Sequence, residues 1–108
     1  MKPRPGTDPD KTTDAPLAVL ARAFAALQHP DDVQAFLRDL CTPAELEAMA
    51  DRWRVVPLLR QGVPYREIHD LTGVSVTTIG RVARTLEHGD GGYATALEQL
   101  AARDIESN

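Results

Sequence analysis

The chain has 108 residues, 43% of them hydrophobic and 26% charged, with a formal net charge of −4. That length predicts one domain, and the absence of any long apolar run or of a hydrophobic segment near Met1 predicts a soluble, cytoplasmic protein with no membrane partner. Cys41 is the single cysteine, so an internal disulfide and a cysteine-pair zinc site are excluded, and His29, His69 and His88 stand too far apart, beside no acidic cluster, to read as metal ligands.

Residues 1–14 hold Pro3, Pro5, Pro9 and Gly6 among alternating charges, with little to bury, and predict a disordered arm. From Asp14, an N-cap with Pro16 in the first turn, apolar residues recur at Leu17, Leu20, Phe24 and Leu27, predicting a first helix to about Gln28. His29-Pro30-Asp31-Asp32 breaks and restarts the chain, and Val33, Phe36, Leu37 and Leu40 mark a second helix. Thr42-Pro43-Ala44-Glu45 has the form of a capping box with proline at the first helical position, opening a third helix with Leu46, Met49, Ala50, Trp53 and Val56 on one stripe. Pro57 lacks an N–H and collides with the carbonyl four residues back, at a cost of about 3 kcal/mol, so a kink or an early end near Val56 is expected. Gly62-Val63-Pro64 closes that segment. After two further helices, His88 to Gly92 supply a C-cap and turn, and Tyr93, Leu97 and Leu100 give a last amphipathic helix ahead of a short flexible tail at 104–108. No strand-like alternation appears, so the fold class is all-α with six helices, the domain covering residues 15–103.

The two remaining helices read as a helix-turn-helix over about 65–87. Ile68 and Leu71 give the first an apolar edge, Gly73 stands where the turn needs positive φ, Val74 fills the corner, and Ser75 caps the second. On a helical wheel Ile79, Val82, Ala83 and Leu86 share one side, while Thr77, Gly80, Arg81 and Arg84 share the other at i, i+3, i+4 and i+7. The second face is small or cationic and carries no acid. A helix entering the major groove requires that character, because phosphates repel carboxylates, short side chains permit close approach, and arginine can bond guanine O6 and N7 together. The alternative is a solvated face on an ordinary bundle; turn glycine, serine cap and acid-free face occurring together favour DNA.

The acidic total conceals a division. Residues 50–84 carry six arginines against Asp51, Glu67 and Asp70, a balance of +3, whereas residues 1–49 carry −3 and residues 85–108 carry −4. Positive charge sits on the suspected reading module, as an electrostatic footprint on DNA requires, and its modest size predicts weak non-specific binding. The apolar stripes of the first, second and sixth helices exceed what so small a module can cover, which predicts a homodimer. Two recognition helices one DNA turn apart would then read a pseudo-palindromic operator in double-stranded DNA.

From Leu40 to Leu86 the chain resembles the Trp repressor family. The residues that carry the likeness are Thr42-Pro43 opening a helix, Glu45 and Glu47 in its first turns, Arg52-Trp53-Arg54-Val55-Val56 in its middle, Leu59 and Gly62 at its end, Arg66-Glu67-Ile68, and Gly73 to Arg81. Tyr65-Arg66-Glu67-Ile68 together with Gly89-Asp90-Gly91-Gly92-Tyr93 looks closer to the YerC/YecD-type branch. The resemblance implies an intertwined all-helical dimer that binds operator DNA to control transcription. It also implies a DNA-facing set of Arg54, Arg66, Ser75, Val76, Thr77, Gly80, Arg81 and Arg84, in which Thr77, Arg81 and Arg84 reach base edges and Arg54 and Arg66 face the phosphate backbone. An effector pocket of Thr42, Arg52, Arg81 and Thr85 corresponds to the family's tryptophan site, where two arginines hold the indole. Val82 replaces the small glycine that follows the second arginine, and Thr85 replaces a serine, so tryptophan is not the expected corepressor and no cofactor is expected. Gly80 stands where the family often has a polar side chain, removing one base contact.

Two other functional classes compete. A helical dimeric adaptor could dock a protein through Tyr93, Leu97 and Leu100, and a corepressor-dependent repressor could sense an amino acid through the pocket just described. An enzyme is not expected: the sequence has no phosphate-cradling glycine loop, no paired acids beside a nucleophile and no catalytic partner for Cys41.

Overall fold

A computed structural model describes the backbone of residues 10–107 and the side chains of residues 15–104. Among the described residues there are six helices and no strands: α1 Asp10–Ala26, α2 Pro30–Leu40, α3 Pro43–Arg60, α4 Tyr65–Thr72, α5 Val76–His88 and α6 Gly92–Ser107. The chain divides into two compact units, residues 1–42 and residues 43–108.

The first unit holds α1 and α2. Of the arm expected over 1–14, residues 1–9 lie outside the described residues, and α1 already runs from Asp10 instead of Asp14. Between Asp10 and Asp14 there is neither glycine nor proline to stop a helix, and Pro16 is accommodated within it. Its other end comes two residues before Gln28, closed by a tighter bond from the Leu27 N–H to the Phe24 carbonyl at 3.1 Å. Pro30 opens α2 at its first position, where a missing N–H costs nothing, with Asp31 and Asp32 favourably placed in the first turn. Phe24 and Phe36 meet edge to face with ring centroids 5.1 Å apart. No described side chain of this unit is fully buried.

The second unit contains the core, made of Val55 and Val56 from α3, Ile68 from α4, Val74 from the turn, and Ile79 and Val82 from α5. α3, α4 and α5 pack on one another. The α6 helix lies against α3, where Trp53 and Tyr93 have ring centroids 6.3 Å apart. The break expected near Val56 does not occur, since α3 continues through Pro57 to Arg60. The reason is tertiary: Val55 and Val56 are wholly buried and Leu58 and Leu59 pack against the core. Each fully buried valine is worth roughly 1.5–3 kcal/mol, enough together to offset the loss of about 3 kcal/mol at an interior proline. The helix stops one turn later at a glycine cap, with Gly62 at φ 80°, its N–H bonded to the Leu59 carbonyl and that of Val63 to the Leu58 carbonyl.

At the α5–α6 corner the Gly89 N–H bonds the Thr85 carbonyl at 2.7 Å. A Cβ on Gly89 would fall 2.5 Å from that same oxygen, so glycine is required there by close approach. The last helix runs to Ser107, beyond the expected boundary at 103, and Asn108 lies outside the described residues.

Candidate nucleic-acid interface

The turn between α4 and α5 is fixed by a chain of hydrogen bonds. Gly73 takes φ 78° and its N–H bonds the His69 carbonyl at 2.8 Å, ending α4 with the left-handed residue that glycine adopts without a Cβ penalty. The Thr72 hydroxyl donates to the Ile68 carbonyl at 2.7 Å and accepts from the Val74 N–H at 3.1 Å. His69 Nδ1 lies 2.8 Å from the Val74 carbonyl. A carbonyl only accepts, so this ring nitrogen carries the proton. Ser75 then caps α5: its hydroxyl accepts from the Thr78 N–H at 3.1 Å and donates to the Thr78 hydroxyl at 3.0 Å. The Thr72 carbonyl receives the Arg54 guanidinium from α3.

These bonds orient α5 on the core. Ile79 and Val82 are buried and Ala83 and Leu86 half-buried on the inner side, while Thr77, Arg81 and Arg84 are exposed on the outer, as the wheel predicts; Val76, in the first turn, is exposed too. From Val76 to Arg84 the helix has no acidic residue; the first is Glu87, which pairs with His88 at 3.6 Å. The start of α5 therefore presents backbone N–H groups, hydroxyls and arginines, a surface that attracts polyanions.

The eight residues expected to face DNA separate by their surroundings. Ser75 is committed to its capping bonds. Arg66, near the start of α4, is exposed. Arg54 is exposed but already bonded to Thr72, where its charge also complements the C-terminus of α4. Gly80 is half-buried on the outer face, because side chains of Tyr65 and Arg84 lie over it. The turn-locking roles of Thr72, His69 and Arg54 are absent from the sequence reading. A threonine directly before a turn glycine is the one local signal that could have pointed to the first.

Of the effector residues in the second unit, Arg52 is half-buried on α3, and Arg81 and Thr85 are exposed one turn apart on α5. Among the described residues no side-chain hydrogen bond joins these three to one another. Thr42 belongs to the first unit, directly before α3. A cavity of about 340 Å³ opens where α5 turns into α6, lined by Thr85, Leu86, Asp90, Tyr93 and their neighbours, but not by either arginine. Val82 is 1% exposed and belongs to the core. Among the described residues no group of three or more His, Cys, Asp or Glu side chains is placed to hold a metal ion.

Comparison with known proteins identifies the family and the fold. The sequence profile of the Trp repressor protein family matches residues 15–101. The uncharacterized protein YerC of Bacillus subtilis (strain 168) is 34% identical over 99 residues, covering 92% of this chain and 95% of that protein. Among solved structures, a TrpR-like protein from Eubacterium eligens superimposes with a TM-score of 0.77 at 33% identity, over 85% of this chain and 95% of that one. A candidate Trp repressor from Staphylococcus aureus gives a TM-score of 0.77 at 29% identity, over 88% of this chain and 96% of that one.

Proposed function

This chain belongs to the Trp repressor family, whose members are DNA-binding regulators and not enzymes, and on that premise we propose that it is a sequence-specific transcriptional repressor that reads a pseudo-palindromic operator as a homodimer in the cytoplasm. The observation that carries the reading is the acid-free outer face of α5, with Val76, Thr77, Arg81 and Arg84 exposed around Gly80 and the helix anchored through a turn held by the Thr72 hydroxyl. Arg81, Arg84 and Thr77 take base edges. Arg66 takes phosphate, and Arg54 supports the turn while adding positive charge behind it. Among the described residues no helix is long and apolar enough to cross a membrane.

The homodimer is supported by what α1 and α2 leave uncovered. Leu17 is 65% and Val19 56% exposed, and Leu40 is exposed as well, so these two helices carry apolar surface that a second copy would remove from water. The adaptor reading loses most of its docking stripe, because Tyr93 and Leu97 are packed against the core and only Leu100 stays exposed.

Operator binding is independent of L-tryptophan in this proposal. What supports this is Val82, packed in the core with Ile79 at the position where the resemblance puts a small glycine, so that a branched side chain stands where an indole would need room. The test is a binding series for alanine variants of Thr77, Arg81, Arg84, Arg54 and Arg66, on a selected duplex and a scrambled one, at several salt concentrations with and without L-tryptophan. Losing a base-reading arginine should cost roughly 1–3 kcal/mol on the selected duplex alone, and losing a phosphate contact should lower the salt slope by about 1 on both. Equal losses throughout would leave a non-specific binder, and a tenfold gain with L-tryptophan would restore the corepressor.

A further inference from the structure

Gly80 is the one position on the outer face of α5 with no side chain, yet it is half-buried. Two side chains account for this. A Cβ placed on Gly80 would lie 3.8 Å from Arg84 Nη1 and 3.8 Å from Tyr65 Cε2. Arg84 comes from the next turn of the same helix, whereas Tyr65 is the first residue of α4. Cε2 neighbours the carbon that bears the phenol hydroxyl, so the polar tip of Tyr65, not its stem, reaches α5. The residue is 43% exposed. A large aromatic side chain therefore sits at the surface, against the acid-free face and beside an arginine.

We infer that Tyr65 supplies the polar group that Gly80 lacks: its hydroxyl donates to an oxygen of the bound duplex, making it a DNA-contacting residue contributed by the supporting helix. The inference rests on the DNA-binding reading of α5. A phenol suits the position because its ring spans from α4 to α5 with only two rotatable bonds, so little freedom is lost on binding. Its O–H can be satisfied by a phosphate oxygen or by a base-edge acceptor, two sources of the same chemistry. The ring edge and the Arg84 guanidinium both lie 3.8 Å from where a Cβ on Gly80 would sit, so the two side chains flank the same bare stretch of α5.

The test uses the full chain and the Tyr65→Phe variant, which keeps the ring and removes the hydroxyl. Affinity is measured on a duplex recovered by random-sequence selection with the wild-type protein and on a scrambled duplex of the same length, with Arg84→Ala as the reference. Tyr65→Phe should melt at the wild-type temperature and bind roughly three- to tenfold more weakly. A loss confined to the selected duplex identifies a base edge, and an equal loss on both identifies a phosphate. Unchanged affinity on both duplexes, while Arg84→Ala binds more weakly, overturns the inference and leaves the DNA-binding reading intact. Absence of salt-sensitive binding by the wild type overturns both. As an independent readout, tetranitromethane should nitrate Tyr65 in the free protein, and the selected duplex should protect it; undiminished nitration in the complex overturns the contact.

Discussion

One hydroxyl does much to hold the corner between α4 and α5. Thr72 Oγ1 serves as donor to Ile68 and acceptor from Val74, and both bonds are partly shielded from water. Valine has nearly the same shape and neither function. Thr72→Val should therefore lose about 1–3 kcal/mol in urea unfolding, mainly from the Val74 N–H left without its acceptor, and Thr72→Ser should recover most of it. A Thr72→Val variant as stable as wild type would show that water replaces the bond. Arg54 acts on the same residue from α3 through the Thr72 carbonyl, so a substitution there changes the turn as well as the charge facing DNA. Its variant in the binding series is to be read beside a melting curve.

At the scale of the helix, α5 balances a weak interior residue against a strong start. Gly80 lowers helix stability by about 1 kcal/mol relative to alanine. Nothing lies closer than 3.8 Å to where an alanine Cβ would sit, so Gly80→Ala should raise unfolding free energy by about 1 kcal/mol, measured in denaturant. Destabilisation by this change would mean that the Tyr65 ring is packed more firmly than its exposure indicates. Local signals made most of α5 legible: serine at the cap, glycine before it, and apolar residues spaced to leave the arginines outside. The same local reasoning fails at α3, where Pro57 reads as a break and long-range burial of Val55 and Val56 decides otherwise. It misses Tyr65 for a related reason, since a contact between the first residue of one helix and the middle of the next depends on their packing angle, which periodicity does not encode. Local signals also place the start of α1 too late, because Asp14-Ala15-Pro16 has the form of a helix entrance and such a form can lie inside a longer helix.

For the molecule as a whole, charge and apolar surface are divided between tasks. The arginine-rich stretch from 50 to 84 carries the reading module within a total of −4, so attachment to DNA should weaken as salt rises, with a slope set by the number of phosphate contacts that stretch makes. The uncovered apolar residues of α1 point to self-association, and sedimentation at micromolar concentration should give about twice 11.8 kDa. Phe24→Asp, which replaces a ring stacked on Phe36 by a carboxylate, should lower both the sedimenting mass and the helical circular dichroism, and a compact monomeric wild type would remove the dimer from the proposal. The hydrogen-bonded turn has a thermodynamic consequence for the encounter with DNA. Because Ser75, Thr72, His69 and Arg54 already hold α5 in place, the reading helix arrives folded and no segment between α4 and α5 has to order itself. Calorimetry should then give a heat-capacity change that scales with the surface the two partners cover, without the additional large negative component that marks folding coupled to binding.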